Sequence, residues 1–257
     1  MQVWWLGEWL VGLQHDITQT LGDAVTAVVS NQLLFAAGLL FSLASAYYSV
    51  RLSVRLRTGT QKTVEALADA VDLRVFGAAG HSRRVAALSI AIAQAMGLRP
   101  ADVALIGQAA RVHDVGQMGV ADTLFNKAGP LLADEQRLMQ RHPILGAELL
   151  AGFADYSRTG PLVRGHHERP DGQGYPDRLV GEQLPLGSAI IAVAEAFDAM
   201  TSPRPYRGAL SIMEAGNELR RGRGGAWHAG AVDALLTLRD PGGRSGDVAR
   251  RSPDAAA

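Results

Sequence analysis

From Ala24 to Val50 the chain carries no charged residue, and its first 50 residues contain neither lysine nor arginine. Within that window "LLFAAGLLFSLASAYYSV" (33–50) is dense in large apolar side chains. A helix needs about 20 apolar residues to cross the hydrocarbon core of a bilayer, and this stretch supplies them. Arg51, Arg55, Arg57 and Lys62 follow at once. Basic residues gathered at one end of an apolar span place that end in the cytoplasm. The sequence therefore predicts a single transmembrane helix over 24–50, with the N-terminus outside and the remainder inside. A cleaved signal peptide fits less well, because the basic n-region is missing and the apolar run starts late. A buried helix of a soluble protein is the alternative. Residues 1–23 are too few to build a core of their own, and Trp4, Trp5 and Trp9 suit a membrane interface.

The rest of the 257-residue chain reads as helix. Val64, Leu67, Ala68, Val71 and Val75 recur at helical spacing, which predicts a connecting helix over 51–75 with the capacity to dimerise. Beyond it, apolar periodicity marks helices over 81–96, 101–113, 133–141, 144–152, 188–201, 211–221 and 229–238, punctuated by Gly, Pro and Asp. No stretch alternates as a strand would, so the expected fold is all-α: a helical bundle over 76–239 behind one N-terminal transmembrane helix. "GLRPAD" (97–102) joins a C-cap glycine to a proline at the start of the next helix. The end, 240–257, is poor in large apolar residues and is expected to be disordered.

Composition then narrows the chemistry. Formal net charge is zero, which removes any bulk attraction to a nucleic acid polymer. With no cysteine, a transition-metal site has to be built from His, Asp and Glu. Five of the seven histidines fall between His81 and His167. His113 is followed by Asp114 at the end of the apolar helix "VALIGQAARVHDVG". A charged carboxylate at the core-facing end of a helix needs a partner, and a cation is an economical one. One such histidine is more often an ordinary buried or surface imidazole. A His-Asp pair followed by a distant His-His pair is a stronger signal.

The stretch 73–238 resembles an HD-GYP domain, a branch of the HD phosphohydrolase superfamily. The matching segments are "GHSRRVAAL" (80–88), "HDVGQMGV" (113–120), "LFNKAGPL" (124–131), "RHPILGAELL" (141–150), "HHERPDGQGYP" (166–176) and "VAEAFDAMTSPRPYRGAL" (193–210). The resemblance implies an HD-domain-like helical fold and hydrolysis of the bacterial second messenger cyclic di-GMP to pGpG or GMP. It also implies two divalent metal ions, iron or manganese. One metal would be held by His81, His113, Asp114 and Glu195. Asp114 would bridge to a second, completed by His142, His166 and His167. Two cations held by a shared carboxylate activate water and clamp the attacking and leaving oxygens of a phosphodiester. Asp114 and Gln117 would carry catalysis, and Asp198, Arg204, Arg207 and Tyr175 would meet the substrate, the arginines as bidentate phosphate ligands. The implied setting is the bacterial inner membrane with the catalytic domain in the cytoplasm. GGDEF-type or other signalling proteins and a second copy of the chain are the implied protein partners.

Four positions depart from the family pattern. Gln117 stands where the family has the lysine of "HDIGK", which is expected to contact the scissile phosphate. Losing one charged contact of this kind costs about 10²–10³ in rate. Glu195 replaces an aspartate ligand. Gly77 occupies the place of the carboxylate that members with a third metal carry, which sets two metals as the ceiling. Trp227-His228-Ala229 replaces a Phe-Asp-Pro, expected to alter packing only. Two readings follow: a membrane-anchored phosphodiesterase of reduced activity, or a catalytically degenerate domain acting as a nucleotide-binding or docking regulator.

Overall fold

In the computed structural model, residues 4–77, 79–125, 127, 129–203 and 208–239 are described. Arg204, Arg207 and the tail 240–257 lie outside them. The described residues form helices and turns with no named strand; the only pairings of strand type are isolated bridges, Asp171 with Val180 and Arg223 with Trp227. The chain divides into two compact units, 1–59 and 60–257.

The first unit is one helix, part of α1 (Trp4–Phe76). It is the one helix among the described residues long and apolar enough to cross a membrane. Its large apolar side chains, Phe35 and Phe41 among them, are exposed. The segments that the sequence separates at 23/24 and 50/51 are continuous helix, because nothing between Trp4 and Phe76 breaks it: there is no proline, and the glycines are isolated.

The second unit begins with the last turns of α1. Val64, Ala68 and Val71 are buried there, on the stripe that the helical spacing marks. Then follow α2 (His81–Ala95), α3 (Pro100–Arg111), a 3-10 turn (Val115–Gly119), α4 (Asp122–Phe125), α5 (Ala133–Met139), α6 (His142–Ala151), a 3-10 turn (Ala154–Thr159), α7 (Gly160–Arg164), a 3-10 turn (Gly181–Gln183), α8 (Leu186–Thr201), α9 (Ile212–Arg221) and α10 (Ala229–Arg239). The core runs between α2, α3, α8 and α10, where Val85, Ile92, Ile190, Ile191, Val193 and Leu235 are fully buried. Each such side chain contributes roughly 1.5–3 kcal/mol.

The α2–α3 corner forms as its sequence dictates. Gly97 takes φ 73°, its N–H donates to Gln94 O and the N–H of Leu98 to Ala93 O, the Schellman pattern. Pro100 then opens α3. The helices at 122–125 and 160–164 and the 3-10 turns have no periodic signature; they are too short for one.

The backbones of the 115–119 turn and α6 pass close to each other. A Cβ on Gly116 would lie 2.0 Å from His142 O and 2.3 Å from Gly146 N. This crossing brings Asp114 beside His142, and only two glycines permit it. Gly116→Ala is expected to cost about 3 kcal/mol, the upper end of overpacking. Thermal unfolding in detergent should show a melting temperature lower by roughly 6–12 °C; an unchanged value would contradict the crossing.

Candidate metal centre

The histidines sit where helices stop. His113 follows α3 in a tight turn, His142 opens α6 directly after α5, and His166 follows α7. Each donates its Nδ1–H to a carbonyl three residues back: His113 to Ala110 O (2.8 Å), His142 to Met139 O (2.9 Å) and His166 to Val163 O (2.5 Å). A carbonyl only accepts, so Nδ1 holds the proton of the neutral ring and Nε2 presents a lone pair. His81 reaches the same state by another route. Its Nδ1 lies 2.7 Å from Asp198 Oδ2, leaving Nε2 as the lone-pair atom.

These lone pairs converge. His113 Nε2 is 3.4 Å from Asp114 Oδ2, and His142 Nε2 is 3.3 Å and His166 Nε2 3.9 Å from Asp114 Oδ1. His142 Nε2 and His166 Nε2 face each other at 3.2 Å. With both protons on Nδ1, that contact is lone pair against lone pair. Seven buried polar side-chain atoms among the described residues lack a hydrogen-bond partner, and three are here: His81 Nε2, His113 Nε2 and Asp114 Oδ1. Each orphan costs about 1–3 kcal/mol. A divalent cation satisfies all of them, so the donor set fits a metal. Two ligand groups form, His81, His113, Asp114 and Glu195, and Asp114, His142, His166 and His167. The ligand atoms of each lie within 4.8 Å of one another. Asp114 belongs to both.

The protonation states suit cation binding. Burial pushes the pKa of His142 and His166 down and takes His167 to about 3. Burial raises the pKa of Asp114, and the charge that the surrounding imidazoles, His113 foremost, take up in acid outweighs it and lowers it. At neutral pH, Asp114 is ionised and His142, His166 and His167 are uncharged.

Other expected site residues fall as follows. Glu195 joins the first ligand group from α8. Asp198, one helical turn further, is buried behind His81 with both oxygens engaged: Oδ2 on His81 and Oδ1 on Arg84 Nε at 2.6 Å. Its geometry is that of an orienting carboxylate for His81, and with Arg84 it lines a cavity of about 500 Å³. Tyr175 stacks on His167 with ring centroids 4.8 Å apart. Burial, then Glu195 and Asp114, push its hydroxyl pKa up, so it stays a phenol. Gln117 is buried, and its Oε1 has no partner. Trp227, expected to matter for packing only, lines a cavity of about 260 Å³ with His167, Arg169, Tyr175 and Glu195, and so shapes access to the ligands.

Residues 65–231 match the family described as the HD domain. The chain belongs to the HD-domain family. It is 40% identical over 181 residues to the cyclic di-GMP phosphodiesterase response regulator RpfG of Xanthomonas campestris, covering 70% of this chain and 48% of that protein. It is 36% identical to a cyclic di-GMP phosphodiesterase of Thermotoga maritima (68% and 47% covered) and 31% identical to the 3′3′-cGAMP-specific phosphodiesterase 2 of Vibrio cholerae (77% and 38%). The chain thus spans less than half the length of these relatives. Among solved structures it is similar to a cyclic GMP-AMP specific phosphodiesterase of V. cholerae (TM-score 0.55, 18% identity, 70% of this chain and 48% of that one). It is also similar to Bd1817, an HDG"Y"P protein of Bdellovibrio bacteriovorus (TM-score 0.51, 22% identity, 62% and 51%). At these identities the likeness establishes the all-α HD fold.

One residue of the HD domain's loop escaped the sequence reading. Glu168 follows the two histidines, is 2% exposed, and accepts from three backbone N–H groups: Asp177 and Arg178 on Oε1 (2.5 and 2.9 Å) and Leu179 on Oε2 (3.1 Å). It clips shut the excursion that carries Tyr175. Within it Gly174 passes so near that a Cβ would lie 2.5 Å from Glu168 Cα. An acid beside a His-His pair, in a segment otherwise full of turn residues, was the available signal. Glu168→Ala should expose the amides of Asp177, Arg178 and Leu179 to rapid hydrogen exchange; retained protection there would rule out the clip.

Proposed function

We propose that this chain is a membrane-anchored, metal-dependent phosphodiesterase that hydrolyses cyclic di-GMP. One observation carries the reading: two ligand groups share a single buried carboxylate, Asp114. Two divalent cations, iron or manganese, are assigned to them, one on His81, His113, Asp114 and Glu195, the other on Asp114, His142, His166 and His167. Such cations supply Lewis-acid activation of water and charge neutralisation at the phosphodiester.

The chain's own residues do the rest. Asp198 fixes the ring of His81, and three backbone carbonyls fix His113, His142 and His166. Tyr175 offers a phenolic hydrogen-bond donor beside His167, and Trp227 and Arg169 wall the cavity next to it. Arg204 and Arg207 are assigned to the phosphates. Hydrolysis consumes one water per diester opened: its oxygen joins phosphorus, the bond to O3′ breaks, and O3′ leaves with a proton. Opening one diester gives pGpG, and opening both gives GMP. Relatives whose names specify cyclic di-GMP and 3′3′-cGAMP support a cyclic dinucleotide as substrate, with cyclic di-GMP favoured by the higher identity.

The remaining assignments complete this reading. The 24–50 segment crosses the bacterial inner membrane once, 51–75 connects it to the catalytic domain in the cytoplasm, and GGDEF-type proteins or a second copy are the protein partners. Long uncharged helix followed by Arg51, Arg55 and Arg57 supports the topology.

The test is the full chain in detergent, loaded anaerobically with Fe(II) or Mn(II) and given cyclic di-GMP. We expect pGpG or GMP to form, and Asp114→Ala to abolish the product. Metal uptake without turnover would instead select the regulator reading, which Gln117 favours. A second variant measures that residue directly. Gln117→Lys should raise kcat by up to about 10²–10³, and no gain would show that the missing lysine is not what limits the rate.

A further inference from the structure

The last turns of α1 belong to the same compact unit as the histidine cluster, and three of their charged side chains are bonded to the segments that carry it. Asp72 is fully buried. Its Oδ2 accepts from the N–H groups of Gly80 (3.0 Å) and Ser82 (2.9 Å), and its Oδ1 from Ser82 Oγ (2.7 Å). The residue between them is His81. Gly80, the N-cap residue of α2, has no side chain to cap with and sits at φ 113°. Asp72 therefore supplies the cap from a neighbouring helix, where an anion is favoured by the unpaired N–H groups.

Arg74 grips a second ligand segment. Its Nε donates to Asp122 Oδ1 (2.6 Å), Nη1 to Gln117 O (3.0 Å) and Nη2 to Val120 O (2.5 Å). The two carbonyls belong to the end of the 3-10 turn that begins directly after Asp114. Asp69 reaches the same segment upstream of His113. One oxygen accepts from Arg111 Nη2 (2.6 Å), two residues before His113, and the other pairs with Arg83 on α2.

We propose that Asp72, Arg74 and Asp69 are positioning residues for the metal centre, holding His81 and the adjacent His113 and Asp114 in register, Asp72 and Arg74 through flanking backbone and Asp69 through the side chain of Arg111. The inference rests on reading the histidine cluster as a metal centre. Three ligands that share cations must agree in position to about half an ångström. They come from two segments, the start of α2 and the turn after α3, and α1 is bonded to both. The Asp72 contacts differ in kind from a general packing role: they involve only the residues on either side of His81.

The experiment titrates Mn(II) into the metal-free full chain in detergent and reads affinity by calorimetry, with thermal unfolding of the metal-free protein alongside. Asp72→Ala is expected to weaken Mn(II) binding by about 10–100-fold, as loss of outer-shell partners does. Asp72→Asn should stay close to the unsubstituted chain, because its carbonyl oxygen accepts the two N–H groups and its amide can donate to Ser82 Oγ. Arg74→Ala should weaken binding independently, and it decides the question alone where Asp72→Ala fails to fold. A lowered melting temperature with unchanged Mn(II) affinity in the folded variants would overturn the proposal while leaving the metal centre intact. Absence of Mn(II) binding by the unsubstituted chain would overturn the metal-centre reading and this proposal with it.

Discussion

The second unit is organised around a carboxylate that has too many neighbours of one kind. Asp114 is 2% exposed and lies among imidazole nitrogens whose lone pairs, not protons, face it. Without a cation, Asp114 Oδ1, His81 Nε2 and His113 Nε2 are orphans, and His142 Nε2 meets His166 Nε2 at 3.2 Å. A protein interior tolerates a few such groups only where something else satisfies them. The polar cost of the cluster is therefore the reason for its chemistry: the fold supplies packing, and the cation supplies the missing partners.

The fold meets the positional demand by repeating one device. A histidine placed in the turn after a short helix can return its Nδ1–H to a carbonyl of the last helical turn, one of those the helix leaves unpaired. His113, His142 and His166 all do this. The bond repairs the helix end and fixes the tautomer at the same time. His81, at the start of α2, takes Asp198 from α8 instead. Short helices such as α5 and α7, which add little to the core, make sense as carriers of these turns.

Much of this was legible in the residues, and the illegible part has a common cause. The helices of the core announced themselves by periodicity, and Gly97-Pro100 announced a corner. The ligand set was what the family resemblance implies, and its seven residues lie in two adjoining groups. What the sequence hid were contacts made across space by residues that look ordinary in line. Glu168 reads as one more charge in a turn-rich loop until its carboxylate is seen to close that loop. The resemblance implies a substrate-side role for Asp198, and what the sequence hid is its bond to His81 Nδ1 from one turn past Glu195 on α8. Trp227 reads as filler because it is far in sequence from every ligand, yet it lines the cavity beside His167 and Glu195.

The same distinction bears on Gln117. The lysine that the resembled family pattern has at this position would have to be desolvated in a site already holding an ionised carboxylate. Gln117 is buried with an unpartnered Oε1, so the position keeps a polar group while giving up the charge. Its backbone, in contrast, is fully employed: its N–H donates to Asp114 O and its carbonyl accepts from Arg74. The identity of the side chain at 117 can thus change while the residue is still held in place by what its main chain does for Asp114. Preservation of the turn geometry and loss of the charged contact are then compatible, because they depend on different atoms of one residue.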